Sequence, residues 1–368
     1  MNAHYVDNFA DDLGPEKIVH IYEPKSGLKA IVVIDNLSLG PAVGGCRMAS
    51  DVGTREVFRL ARAMTLKNAL SDLPHGGAKS AILEDPGIAN KEDMIRAFAQ
   101  AIKHLHDYIP GPDMGTDETC MAYIHDEIGR AVGLPKVLGG LPLDELGATG
   151  YGLAVAADVA SDFISLPLKN ARVIIQGFGN VGKAAARFLT ERGATLIATC
   201  DTRGAIHDPD GISVQALTQF KKSGASVKES GLGEVLTHEA MLQLESDIFI
   251  PSARPDIFTV DNQHWLQTKL VLEGANIPIT HEAAEIMKGR GVVIIPDVIA
   301  NSGGVICAAT EFQGMNEKQA FERIESTISR NTVEVLERNL KQGQFPHAAA
   351  IIMAKERLKE AMAFRAHM

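Results

Sequence analysis

Cysteine and long apolar runs are scarce in this chain. Its 368 residues contain four cysteines, none in a C-x-x-C pair and none at a metal-ligand spacing from a histidine. No run approaches the ~18 apolar residues of a membrane-spanning helix. The acidic start, MNAHYVDNFADDLG, lacks the apolar segment of a secretory signal. The sequence therefore predicts a cytoplasmic protein without a disulfide framework or a bound metal.

Net positive charge is also missing. The 36 basic residues are outnumbered by 46 acidic ones, which gives a formal charge of −10. This balance argues against nucleic acid or an anionic membrane as the main partner. Hydrophobic residues make up 45% of the chain, and together with the length they predict two domains, each with its own core.

A complete strand, turn, helix and strand unit occupies residues 172–201, RVIIQGFGNVGKAAARFLTERGATLIATCD. The apolar run 173–175 predicts a buried parallel strand, and it leads into Gly177, Gly179 and Gly182, spaced as G-x-G-x-x-G. In such a turn the first glycine allows the tight bend and the second admits a pyrophosphate. The third lets the helix pack closely on the strand. The unit therefore predicts dinucleotide binding.

The remaining cofactor contacts are expected around the same unit. Asn180 and Val181 open the helix, where phosphates bind free N–H groups. The second strand leads to Asp201 and then Thr202, and an acidic side chain at this place accepts hydrogen bonds from ribose hydroxyls. The acid favours NAD, whereas Arg203 offers an alternative contact to the 2′-phosphate of NADP.

The order of elements along the chain predicts the domains. Residues 16–35 predict a β-hairpin, and from 148 to 300 helices and strands alternate. We expect an α/β fold of two domains separated by a cleft. Residues 1–144 would form an α/β substrate domain, and residues 145–344 a Rossmann-type, doubly wound dinucleotide-binding domain. The last helix, within 345–368, is expected to pack back on the first domain.

Two lysines of the first domain are candidates for chemistry. Lys67 ends a predicted helix, where it either caps the helix dipole or binds a ligand. Lys79 follows two glycines and precedes a short apolar strand, so it is hard to leave fully in water. A lysine that is partly desolvated beside another cation has a lowered pKa, which makes its amine a usable acid or base near neutral pH.

A glycine-dense segment and an aspartate complete the candidate set. Residues 40–48, GPAVGGCRM, predict a loop whose side chains are too small to pack as core, either a sharp turn or a place where backbone approaches a ligand. Asp113 lies between proline and glycine in GPDMGT. It has no evident structural task, because Thr116 and Asp117 are better placed to cap the following helix.

These motifs together resemble the Glu/Leu/Phe/Val amino-acid dehydrogenase family over almost the whole chain. The motifs that carry the resemblance are LPHGGAKSAILEDP, GPAVGGCRM, MTLKNA, GPDMGT, ATGYG, GFGNVG, EGAN and NSGGV. The resemblance implies that Lys67 binds the substrate α-carboxylate, that Lys79 is the catalytic lysine and that Asp113 is the catalytic acid/base. It also implies that Thr149 and Asn276 contact the nicotinamide side of the cofactor, and that the chain forms a homo-oligomer.

The glycine segment also bears on the substrate. Glutamate dehydrogenases resemble GPxKGG there and carry a serine after the second glycine turn, whereas this chain has Val43, before Gly44 and Gly45, and Ala308. A distal carboxylate buried against valine and alanine would cost several kcal/mol. We therefore expect oxidative deamination of an apolar L-amino acid to the 2-oxo acid and ammonia.

Two other functions stay open at this point. The C-terminal segments CDTRGAIHDPDGI, EGANIPIT and ATGYG resemble glutamate dehydrogenases more closely. The first alternative is thus a glutamate dehydrogenase in which another residue, such as Arg47, binds the distal carboxylate. The second is a non-catalytic NAD-binding sensor, although a pure binder would need neither of the two lysines nor Asp113.

Overall fold

The computed structural model describes residues 9–365. Most of the acidic start and the last three residues of the predicted C-terminal segment lie outside this range. The chain divides into two compact units. The first comprises Met1–Leu143, Val305–Ala320 and Ile352–Met368, and the second comprises Asp144–Gly304 and Phe321–Ile351.

The first unit is built on a sheet that has five strands within the described residues. They are β1 (Lys17–Glu23), β2 (Leu28–Asn36), β3 (Ala42–Met48), β4 (Gly77–Ile82) and β5 (Tyr108–Pro112). Their order is β1-β2-β4-β3-β5. Strands β1 and β2 form the predicted antiparallel hairpin, whereas β3 is parallel to both of its neighbours.

Helices cover both faces of this sheet. They are α1 (Thr54–Leu70), α2 (Lys91–Ala101) and α3 (Glu118–Ile128). Alternate residues of β2 point to opposite faces: Ile31 and Val33 pack with Val57 of α1, while Val32 and Ile34 belong to the core that α2 and α3 complete. This two-sided burial explains why β2 reads as a continuous apolar run.

Strand β3 corrects a prediction from the sequence. The prediction of a loop over residues 40–48 is wrong, because residues 42–48 form a buried strand between β4 and β5. The segment has few large side chains, so its pattern carries no strand periodicity. Its burial comes from close approach of the neighbouring strands: a Cβ atom on Gly44 would lie 1.6 Å from the carbonyl oxygen of Ala78.

The second unit contains the predicted doubly wound sheet. Its strands are β6 (Arg172–Gln176), β7 (Thr195–Asp201), β8 (Gly204–His207), β9 (Glu234–Leu236), β10 (Ile248–Pro251), β11 (Leu270–Leu272) and β12 (Val293–Ile295). They lie in the order β12-β11-β10-β6-β7-β8-β9. From β12 to β7 all neighbours are parallel, and β8 and β9 add an antiparallel edge. The α/β fold class expected from the sequence is therefore confirmed.

The remaining helices connect these strands and form the C-terminal part of the chain. They are α4 (Leu143–Leu146), α5 (Ala148–Phe163), α6 (Asn180–Glu191), α7 (Val214–Lys221), α8 (His238–Leu242), α9 (His281–Gly289), α10 (Asp297–Ala300), α11 (Gly303–Phe312), α12 (Glu317–Gln342) and α13 (Pro346–Ala363). In the first unit α13 contacts α1, since Arg357 donates to the carbonyl of Leu70 at 2.5 Å. No helix within residues 9–365 has the length and apolarity needed to cross a membrane.

Candidate functional site

Lys79 and Asp113 meet in the first unit. Lys79 lies on β4 and Asp113 directly follows β5, on either side of β3 in the sheet. The Nζ atom of Lys79 is 2.8 Å from Oδ2 of Asp113, and Lys79 is only 8% exposed. The structure thus brings together the two residues that the sequence singled out as catalytic candidates.

Gly45 makes this meeting possible. It lies on β3, between the two strands, where a Cβ atom would approach the Cβ atom of Asp113 to 2.8 Å and Nζ of Lys79 to 3.0 Å. Beneath it, the buried Tyr108 hydroxyl donates to the carbonyl of Gly44 at 3.1 Å and lies 2.8 Å from Oγ of Ser80. The ion pair therefore lies over the backbone of β3. The buried Tyr108 hydroxyl is hydrogen-bonded to that backbone.

The loop after β5 is anchored so that Asp113 is held over β3. The hydroxyl of Thr116 donates to the carbonyl of Cys46 at 2.7 Å, and it accepts from the backbone N–H of Asp113 at 3.0 Å. Gly115 has a φ of +81°, which places it in the left-handed region that favours glycine. Asp117 caps α3 by accepting from the N–H of Cys120, which confirms the predicted cap and leaves Asp113 available for the ion pair.

Arg47 is a third charged member of this cluster. Its Nε atom lies 3.1 Å from Oδ2 of Asp113, and its Nη1 atom lies 2.6 Å from Glu56. Burial by itself would raise the pKa of Asp113, but the ammonium of Lys79 and the guanidinium of Arg47 outweigh it and lower the pKa overall. Asp113 is thus an ionised carboxylate between two cationic side chains.

Lys67 occupies the last turn of α1 and is only 7% exposed. Helix α1 lies directly against β4 near this lysine, because a Cβ atom on Gly77 would come within 2.1 Å of the backbone nitrogen of Thr65. A lysine this buried is more than a solvated helix cap. Its role toward the substrate carboxylate stays a prediction.

The two residues predicted to contact the substrate side chain are neighbours in one apolar cluster. Val43 of β3 and Ala308 of α11 are 6% and 7% exposed, and they pack with Ile109, Val132 and the partly buried Leu143. All five residues belong to the first unit. Residues that are far apart in sequence therefore form a continuous apolar surface.

In the second unit, the glycine turn has the geometry that a dinucleotide requires. Gly177 has a φ of +105°, and a Cβ atom on Gly182 would lie 1.8 Å from the carbonyl oxygen of Gly177, so α6 packs tightly on the turn. A Cβ atom on Gly179 would meet nothing within 4 Å. This space faces the first N–H groups of α6, which have no partners inside the helix. A pyrophosphate fits these features.

Asp201 is bound more completely than the sequence indicated. Its Oδ1 atom accepts from the N–H of Arg203 at 2.9 Å and from Oγ of Ser226 at 2.8 Å. Its Oδ2 atom accepts from Nζ of Lys221 at 2.6 Å and from the N–H of Val227 at 2.9 Å. Partial burial opposes these donors, but their hydrogen bonds hold the pKa of Asp201 well below its usual range.

A carboxylate offers about four acceptor positions, and all four are used here. A ribose hydroxyl would have to replace one of these donors, and the Lys221 side chain is the one that can rotate away. Sequence reasoning missed Lys221 because it lies 20 residues beyond Asp201 on another element. The ribose contact of Asp201 therefore stays a prediction.

The glycine turn after β6 borders a cavity of ≈ 840 Å³. Its walls include Gly177, Gly179, Thr202, Arg203 and Lys221. The cavity also lies against the carboxyl end of β6 and β7, the position at which open parallel sheets bind nucleotides. Four of the cofactor candidates from the sequence, namely the two glycines, Asp201 and Thr202, thus line one space.

The other cofactor candidates lie near neighbouring loops of the second unit. Thr149 is in the first turn of α5, close to Gly303, whose Cβ would meet the backbone of Ala148 at 2.1 Å. Asn276 follows β11, and its side-chain oxygen accepts from the amide of Asn301 at 3.2 Å. Asn301, which sequence reasoning did not select, thus holds the EGAN loop; its place in the NSGGV motif was the available signal.

Asn180 and Val181 begin α6, as predicted. The amide of Asn180 donates to Asp144 at 3.0 Å, so its side chain is used to join α4 to the glycine turn. The backbone N–H groups at these two positions are the part that could bind phosphate.

Comparison with known proteins identifies the family. Residues 15–130 match the family described as Glu/Leu/Phe/Val dehydrogenase, dimerisation domain, and residues 139–366 match Glutamate/Leucine/Phenylalanine/Valine dehydrogenase. The chain belongs to the Glu/Leu/Phe/Val dehydrogenase family. The resemblance drawn from its motifs is therefore confirmed.

Individual relatives differ in the amino acid that they are named for. A glutamate dehydrogenase of Aeropyrum pernix is 34% identical over 90% of this chain and 85% of its own length. The hetero-hexameric glutamate dehydrogenase of Thermus thermophilus is 28% identical with a TM-score of 0.85, covering 95% and 90%. The L-tryptophan dehydrogenase of Nostoc punctiforme is 26% identical with a TM-score of 0.75, covering 95% and 97%. This dehydrogenase family therefore includes similar chains for both acidic and apolar substrates.

Proposed function

We propose that this dehydrogenase catalyses the reversible oxidative deamination of an apolar L-amino acid, of the leucine, valine or phenylalanine type, to the 2-oxo acid and ammonia, with NAD or NADP. The observation that carries the proposal is the apolar cluster of Val43 and Ala308 in the unit that also contains the Lys79–Asp113 pair. The cluster would contact the substrate side chain, and the ion pair would contact the reacting atoms at Cα.

The cluster is a poor site for a second carboxylate. A carboxylate placed against Val43 and Ala308 would lose its hydration without gaining a hydrogen-bond donor, at a cost of several kcal/mol. Arg47 was the alternative cation for such a group, but two of its nitrogens already bind Glu56 and Asp113. Both observations favour an apolar side chain.

The residues of the ion pair are suited to the proton transfers of the reaction. The Lys79 ammonium would donate hydrogen bonds to the oxygen of the carbinolamine and of the 2-oxo product, whereas the ionised Asp113 would accept protons from nitrogen and return them. Lys67 would bind the α-carboxylate as its counter-ion. Loss of the hydride from Cα leaves an imine. Water attacks the imine carbon to give the carbinolamine, and the C–N bond of the carbinolamine then breaks to release ammonia and the 2-oxo acid.

The second unit supplies the cofactor site in this proposal. When bound, NAD or NADP would supply the acceptor for the hydride that leaves the substrate Cα. The glycine turn would bind the pyrophosphate, with Gly179 leaving the space and the N-terminus of α6 supplying N–H donors. Asp201 or Lys221 would meet the ribose, the first accepting from a hydroxyl and the second pairing with a 2′-phosphate.

Glutamate dehydrogenation is the second candidate. It is favoured by the name of the 34% identical relative from Aeropyrum pernix. We also infer an oligomer, because residues 15–130 match a dimerisation domain and the Thermus thermophilus relative is hexameric. A cytoplasmic location remains a prediction.

The test is a cofactor-reduction screen of the purified chain across the proteinogenic L-amino acids, with NAD and with NADP. We expect the highest kcat/KM with leucine, valine or phenylalanine. A higher value with glutamate would establish the second candidate instead. Binding of NAD by calorimetry with no reduction by any amino acid would establish the sensor.

A further inference from the structure

Glu311 is a partly buried acid that has no role in the proposed chemistry. It lies on α11, one turn after Ala308, and within the described residues it forms no ion pair with a lysine, arginine or histidine. Its partners are backbone groups instead. Oε1 accepts from the N–H of Leu134 at 3.1 Å, and Oε2 accepts from the N–H of Leu141 at 2.8 Å.

These two bonds close the neck of one loop. The segment 134–141 leaves the core at Leu134, exposes Val137 at its tip, and returns at Leu141. Gly140 fits at the neck because a Cβ atom there would lie 1.8 Å from the carbonyl oxygen of Leu134. One carboxylate thus binds both ends of the loop to α11. Burial raises the pKa of Glu311, and the backbone donors oppose that rise.

The ends of the loop carry walls of the apolar cluster. Val132 precedes Leu134 by two residues, and Leu143 follows Leu141 by two. Both pack with Ala308, which lies on the same helix as Glu311 and, at a spacing of three, on the same face. The positions of these two walls relative to Ala308 therefore depend on the bonds that Glu311 makes.

We propose that Glu311 is a positioning residue that sets the depth of the apolar side-chain pocket, through the loop ends that carry Val132 and Leu143. This inference rests on the proposed function, since it assigns the cluster to the substrate side chain. Glu311 itself would not touch the substrate. Its removal would change which side-chain lengths are accepted rather than the chemistry at Cα.

The test is kcat/KM for a series of increasing length, L-alanine, L-2-aminobutyrate, L-norvaline and L-norleucine, in the wild type, in Glu311→Gln and in the exposed control Glu360→Gln. The amide keeps one acceptor but turns its NH₂ toward a backbone N–H, so one charge-assisted bond is lost. We expect the ratio of kcat/KM for L-norleucine to kcat/KM for L-alanine to change by about 5- to 10-fold, with the change in KM. The control should stay within about 2-fold of the wild type.

A uniform fall in kcat/KM across the series, or an unchanged norleucine-to-alanine ratio, would overturn the proposal. A merely structural role would affect all side-chain lengths equally. If Glu311→Gln does not fold, Gly140→Ala opens the same neck without altering the acid, and it must shift the same ratio. Wild-type turnover of L-glutamate is measured alongside. A preference for glutamate would refute the apolar substrate, whereas an unmoved ratio in an enzyme that prefers the apolar series refutes only the role of Glu311.

Discussion

Nζ of Lys79 lies 2.8 Å from Oδ2 of Asp113, with the side-chain-free Gly45 of the intervening strand beneath both. Such an arrangement joins a proton donor and a proton acceptor at one point of the sheet. It also makes the pair sensitive to changes on three separate strands.

Removing the ammonium should abolish most of the activity. In Lys79→Ala we expect kcat to fall by about 10²- to 10⁴-fold, because a positioned proton donor is lost and Asp113 keeps only Arg47 as a counter-ion. The measurement is initial-rate cofactor reduction with the preferred amino acid. Lys17→Ala, which removes a half-exposed surface ion pair with Asp107, should retain wild-type kcat. Loss of less than 10-fold in Lys79→Ala would contradict a catalytic role.

Adding one methyl group at Gly45 should separate the pair. The new Cβ would lie within 3.0 Å of Asp113, Lys79 and Pro112, so we expect Gly45→Ala to lower the free energy of unfolding by about 1–3 kcal/mol and to reduce kcat. Chemical denaturation and rate measurements test both effects. Gly53→Ala is the matched control, because a Cβ atom there meets nothing within 4 Å. Equal behaviour of the two variants would show that the contact has no influence.

Alanine substitutions at two glycines of the cofactor turn should have different effects on stability and NAD binding. Gly179→Ala should keep the melting temperature and weaken NAD binding, since its Cβ occupies open space at the N-terminus of α6. Gly182→Ala should lower the melting temperature as well, because its Cβ would collide with the carbonyl of Gly177. Calorimetric titration with NAD and thermal unfolding distinguish them. Unchanged NAD affinity in Gly179→Ala would argue against a pyrophosphate at this turn.

Substrate preference should respond to a cation in the apolar cluster. In Val43→Lys with Ala308→Ser we expect the kcat/KM ratio of glutamate to leucine to rise by about 100-fold, since the distal carboxylate gains a counter-ion and the apolar side chain loses its surface. Val43→Met, which lengthens the side chain without adding charge, is the control. A ratio that stays at the wild-type value would place the substrate side chain elsewhere.

Stability should depend on a pair in the second unit that joins the partly buried His347 to the buried Glu273. Nε2 of His347 lies 2.9 Å from Glu273, which is fully buried. In His347→Ala we expect the free energy of unfolding to fall by about 3–5 kcal/mol, because the buried Glu273 carboxylate loses its cationic partner and keeps the backbone N–H of Asp297 as a donor. Glu273→Gln, which leaves a neutral acceptor, should cost less. Denaturant titrations of both variants make the comparison, and a costlier Glu273→Gln would contradict this account.

The same pair predicts the direction of pH dependence. Burial by itself would lower the pKa of His347, but the Glu273 carboxylate outweighs it and raises the pKa, whereas burial raises the pKa of Glu273. The stability from protonated His347 is present below its ordinary value of about 6.5 and is lost as pH rises through the raised pKa. Ionisation of the buried Glu273 adds a loss in the same direction. Unfolding midpoints of wild type and His347→Ala should therefore converge toward alkaline pH.

The sequence was most informative where periodicity and turn chemistry agree. The β6, turn and α6 segment is predicted almost to the residue, because a β-branched run, three spaced glycines and a helical apolar stripe all indicate one unit. Strand β3 escaped prediction because its burial is due to neighbouring backbone rather than to its own side chains.

The charged network around the site was the hardest part to predict. The donors that saturate Asp201 come from Lys221, Ser226 and Val227, which are brought to it only by the fold. Arg47 and Glu311 are likewise defined by partners far along the chain. Local sequence patterns do not indicate such long-range partners. Asp113 was selected for a local reason, because Thr116 and Asp117 were better placed to cap the helix that follows.

The glycines of β3 have a consequence for how enzymes of this kind can diversify. A surface made of peptide groups cannot be reshaped by exchanging side chains, and any larger residue at Gly44 or Gly45 would push apart the strands beside it. If the proposed function is correct, new specificities would arise at the periphery, from residues such as Val43, Ala308 and Leu143. The reacting groups can stay where they are while the repertoire of substrates changes around them.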